Sequence, residues 1–156
     1  MDYLLGASLG GMCAFFYSLP AIYLEWRGQK HASATPFVMH VKTIFGYALK
    51  HREAFLVGLF LHVVVGMLFG SLYVLFVDQQ WSRFAGRPYQ FYSFVFFALA
   101  SWLFVNVVVY PLLRMGFFGS REGNGIWLET LAAHMLLGAT MAGLIYWFQP
   151  VYFSLT

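Results

Sequence analysis

Four long apolar stretches, separated by short charged or polar segments, set the pattern of the chain. Residues 3–24 carry no charge and run into Glu25, Trp26 and Arg27, and residues 54–77 lie between the Lys50-His51-Arg52-Glu53 cluster and Asp78. Residues 91–113 follow Arg87 and Pro88 and stop at Arg114; residues 126–148 follow the polar 120–125 loop, hold Glu129 near their start and end at Gln149 and Pro150. A hydrocarbon core about 30 Å thick needs roughly 20 residues of helix to cross it, and each stretch is long enough. Backbone N–H and C=O groups in lipid must be satisfied within the segment, so all four predict transmembrane helices. The expected fold is all-α, a single polytopic membrane domain over residues 1–156.

Residues 28–52 follow a different rule. Thr35 and Pro36 suit a helix start, as N-cap and first helical residue. Phe37, Val38, Val41, Ile44, Phe45, Ala48 and Leu49 then recur at the three-and-four spacing of one helix face, while Lys42, Thr43, Lys50 and His51 fall mostly elsewhere. This predicts a basic amphipathic helix over about 35–50, either lying in the headgroup region or extending the second span on a protein surface.

Composition agrees with spans in lipid. The chain is 61% hydrophobic and only 10% charged, against about 25% charged in a soluble domain, and its mean hydropathy is +0.70. A soluble fold of this size has too little interior to hide that surface. Seven of the nine Lys and Arg residues fall in two loops, five after the first span (Arg27, Lys30, Lys42, Lys50, Arg52) and two after the third (Arg114, Arg121). The positive-inside rule places these loops in the cytoplasm of a bacterial inner membrane or its equivalent, and both termini outside. Basic residues confined to loops form no nucleic-acid footprint. The first cation is Arg27, so the first apolar stretch reads as a retained span rather than a cleavable signal. Cys13, the single cysteine, reads as a small buried hydrophobe.

Two of the spans carry a histidine that opens nearly the same phrase. His62 begins HVVVGMLFGSLY and His134 begins HMLLGATMAGLIY, and each preceding span ends near a proline, Pro20 or Pro111. Proline to histidine is 42 residues in the first half and 23 in the second; the excess of 19 is about the size of the amphipathic helix. Two duplicated hairpins, the first with an insertion, are the economical reading. Gly6 with Gly10, Gly66 with Gly70, and Gly138 with Ala142 are four apart, the small-residue spacing that lets membrane helices approach closely. Pro20 and Pro111 are expected to end or kink their helices.

An ionisable group within a span is a candidate site by default. Both histidines fall eight residues into their predicted spans, which predicts similar depth. One reading is bis-histidine ligation of haem b, with His62 and His134 as iron ligands and Gly66 and Gly138 admitting the macrocycle. Arg114, Arg121 or the Lys50–Arg52 cluster would then face the propionates. A zinc or copper site is disfavoured, since two histidines underfill the shell, and Met12, Met67, Met135 and Met141 read as packing. A solute path would recruit the intramembrane polar groups Asn106 and Glu129 with Tyr73, Tyr146 and Thr140, in a small oligomeric transporter or channel. The remaining reading is packing: histidines as interhelical glue in a small accessory or assembly subunit, touching lipid and the spans of other integral membrane subunits. The glycine-rich 116–127 segment lacks the ending of a phosphate loop, and no hydrolase, zinc-protease or dinucleotide signature is present. The expectation is a non-enzymatic subunit, with the haem protein or transporter as alternatives.

Overall fold

A computed structural model describes residues 3–27, 51–81, 89–121, 123 and 125–152. Its four long helices are α1 (Tyr3–Trp26), α2 (His51–Asp78), α3 (Phe91–Leu112) and α4 (Ile126–Tyr152), all long and apolar enough to cross a membrane. The protein is therefore an all-helical integral membrane protein in contact with lipid. The amphipathic helix expected over 35–50 lies outside the described residues.

The helices run up-down-up-down, and the tightest contact joins α1 to α2. A Cβ on Gly10 would collide with the Gly66 carbonyl, and one on Gly70 with the Gly6 carbonyl; one on Gly66 would come within 2.6 Å of the Gly10 carbonyl and 2.5 Å of Ala14 Cβ. Backbone lies on backbone here, which only glycine permits. In the second hairpin Gly138 does similar work less tightly, with Ala98 Cβ 3.2 Å and the Phe94 carbonyl 3.3 Å from its missing Cβ. Gly10 matches Phe94 and Ala14 matches Ala98 at one offset of 84, whereas Pro20 and Pro111 are 91 apart. Contacts thus align the hairpins seven residues away from the proline alignment.

One core joins the hairpins. It gathers Cys13 of α1, Phe69, Tyr73 and Phe76 of α2, Phe94, Phe97 and Ala98 of α3, and Met141, Ala142 and Ile145 of α4. Phe69 meets Phe97 edge-on at 4.9 Å and Tyr73 stacks on Phe94 at 3.8 Å between centroids, geometries that add to simple burial. Toward the other end each hairpin keeps its own cluster: Ala54 and Phe55 with Ala21 and Ile22, and Tyr110, Met115 and Ile126 with Val105.

Pro20 does not end α1, which continues to Trp26. A proline removes one N–H, and packing of Ala21 and Ile22 on the Ala54–Phe55 cluster holds the turn beyond it. Pro111 does fall in the closing turn of α3, after the helix widens into a π turn over Val105–Val109. The chain then reverses through left-handed backbone at Arg114, Gly116, Phe118 and Gly119.

Candidate functional site

His134 lies in the interior near the shared core, and its Nδ1–H donates to the Thr130 carbonyl one turn back at 2.7 Å. In the neutral ring that bond fixes the tautomer, with Nε2 as the acceptor. The ring meets Phe69 of α2 edge-on, with centroids 6.0 Å apart. Phe69 is seven residues beyond His62, about 10 Å of helix rise. The histidines therefore sit about two turns apart along α2 rather than at one depth. Their helices explain part of the offset: α4 begins eight residues before His134, and α2 eleven before His62.

The space expected for a macrocycle is taken by helix backbone. Gly66 is covered by Gly10 and Ala14, and Gly138 by Phe94 and Ala98. Arg114 and Arg121 are both exposed, and Arg121 Nη1 donates to the Arg114 carbonyl at 3.2 Å. The residues present do not fit bis-histidine haem. Among the described residues, no group of three or more His, Cys, Asp or Glu side chains could hold a metal ion. The four methionines do not gather either: Met141 is in the shared core, Met135 packs on it, Met67 lies against Gly11 and Met12 faces outward.

No family model, curated protein or solved structure matches the chain.

The polar residues named for a solute path disperse. Tyr73, fully buried, belongs to a closed relay that spacing did not reveal. The Tyr89 backbone N–H donates to Tyr73 Oη at 3.1 Å, Tyr73 donates to Ser93 Oγ at 2.6 Å, and Ser93 donates to the Gln90 carbonyl at 2.8 Å. Tyr89, outside the spans, has its phenol pushed above the usual tyrosine range by burial first, then by Asp78 and Tyr3. Tyr3 donates to Asp78 Oδ2 at 2.7 Å, tying the start of α1 to the end of α2. Tyr146 is 80% exposed, and Glu129 is exposed in the first turn of α4 rather than turned into the bundle. Thr140 hydrogen-bonds Tyr17 of α1.

Asn106 sits in the π turn, fully buried, with Nδ2 donating to the Trp102 carbonyl at 2.9 Å. Trp102 in turn donates from Nε1 to the Trp127 carbonyl at 3.0 Å, which also accepts from Thr130 Oγ1 at 3.1 Å. This chain of bonds ties α3 to the start of α4. Asn106 Oδ1 is buried without a hydrogen-bond partner, a cost of about 1–3 kcal/mol.

His134 bonds within its own helix and meets α2 through its ring contact with Phe69. His134→Ala is expected to cost about 0.5–1.5 kcal/mol, the range for one intramolecular hydrogen bond. Purified protein should show no reduced-minus-oxidised b-type band. Unfolding in mixed micelles and an absorption spectrum check both.

Proposed function

We propose that this protein is a small non-enzymatic subunit that packs within a larger membrane complex and helps to assemble it. One observation carries the reading: among the bulky exposed Leu128, Leu136, Tyr146 and Trp147, the outward face of α4 also carries exposed small residues. Ala132, Ala133 and Gly143 are exposed there, and a Cβ on Gly143 would meet nothing within 4 Å. The outward positions of α2 and α3 include Leu56, Phe60 and Leu68, and Phe96, Leu103 and Phe104. Small residues facing outward let a second helix approach closely. The interior supports the same reading, because Tyr73, Ser93, Ser18, Tyr17 and Thr140 close their hydrogen bonds within the chain. We place the basic loops in the cytoplasm and both termini outside, on the Lys and Arg count.

Purification from native membranes in mild detergent should retain another integral membrane protein. Ala133→Leu and Gly143→Leu should each lose it while the chain remains folded. A clean monomer that carries solute flux after reconstitution would overturn the proposal in favour of transport.

A further inference from the structure

The two hairpins leave a groove where α1 faces α4. It has a volume of about 230 Å³ and is lined by Met12, Cys13, Phe16, Tyr17, Thr140 and Leu144. Cys13, 2% exposed, forms the floor, and Met12 and Phe16, 43% and 57% exposed, form walls that open outward. Its polar atoms are the hydroxyls of Tyr17 and Thr140, which bond each other. We propose that this groove holds one acyl chain of a membrane phospholipid.

The occupant follows from the surroundings and the lining. The groove is continuous with the lipid-facing surface of α1, whose neighbouring positions Phe15 and Leu19 are exposed. Water needs two to four polar partners, and hydroxyls already bonded to each other offer few. A ligand that needs a polar contact meets the same obstacle. Left empty, the walls would lose dispersion contacts on one side. The volume exceeds the roughly 150 Å³ of an apolar cavity that takes up benzene, so several methylenes fit. Cys13 lies near the middle of a 24-residue helix, so the chain enters at hydrocarbon depth. Met12 has three rotatable bonds and adapts to a flexible guest. The inference needs only the spans, not the subunit reading.

The test uses the full chain in vesicles of phosphatidylcholine with a photoactivatable diazirine midway along one acyl chain. Adducts should concentrate several-fold on 12–17 and 140–144 over the equally lipid-exposed 96–104 face. Leu144→Trp, which fills the groove, should bring them down to the level of that face. Even labelling of all lipid-facing segments, or groove labelling unchanged by Leu144→Trp, would overturn the proposal. If that variant does not fold, native mass spectrometry of the unaltered chain decides. One phospholipid should survive delipidation; loss of all lipid together contradicts the site. In native membranes, a photoprobe at Met12 that captures a polypeptide rather than lipid would overturn it as well.

Discussion

Gly70→Ala is expected to destabilise the protein by about 1–3 kcal/mol, the range for forcing extra methyl groups into a packed interior. The added Cβ would fall on the Gly6 carbonyl oxygen. That atom belongs to helix backbone and cannot turn away as a side chain would, so α1 and α2 must separate along the line where they pack most closely. The same substitution at Gly143 meets nothing within 4 Å. There it should stabilise the isolated chain by about 0.5–1 kcal/mol, because alanine loses less backbone freedom in a helix. Reversible unfolding in mixed micelles reads both variants. Equal effects at the two glycines would mean that α1 and α2 are not in backbone contact.

Tyr73→Ala is expected to cost more, about 3–5 kcal/mol, as for other large aromatic side chains removed from a core. Tyr73 is fully buried, stacks on Phe94 and meets Phe97 edge-on with centroids 5.4 Å apart. Its removal takes a wall from the one core that the two hairpins share. Tyr73→Phe separates ring from hydroxyl. The ring contacts survive and Ser93 keeps the Gln90 carbonyl, but the Tyr89 N–H loses its acceptor. Loss of one hydrogen bond costs about 0.5–1.5 kcal/mol, so the phenylalanine variant should fall between wild type and Tyr73→Ala. The same unfolding measurement ranks the three proteins, and a phenylalanine variant as stable as wild type would show that the relay adds nothing.

The spans were legible in the sequence because charge and length decide them. Asp78 closes α2, and Arg114 lies just beyond the end of α3. The glycine clasp was legible too, since spacing of four puts Gly66 and Gly70 on one face, and α1 carries the matching pair. What failed was height between hairpins. Counting residues from the start of each span put His62 and His134 level, but the relative height of α2 and α4 is set by how Phe69 packs on Phe97 and His134. No count along one helix contains that contact. The π turn was equally hidden: Val105 to Val109 reads as plain apolar helix, and only the backbone shows the extra residue around Asn106. The Tyr73–Ser93 bond joins residues 20 apart across a helix reversal, with no local signature.

Ala133 and Gly143 matter in this account only if a helix lies against them in the native membrane. The direct measurement is photo-crosslinking from a probe at position 133, compared with one at Leu99 on the exposed face of α3. A discrete adduct with another integral membrane protein is expected from position 133, lost in Gly143→Leu, and lipid adducts alone from position 99. Lipid adducts alone from both positions would contradict it.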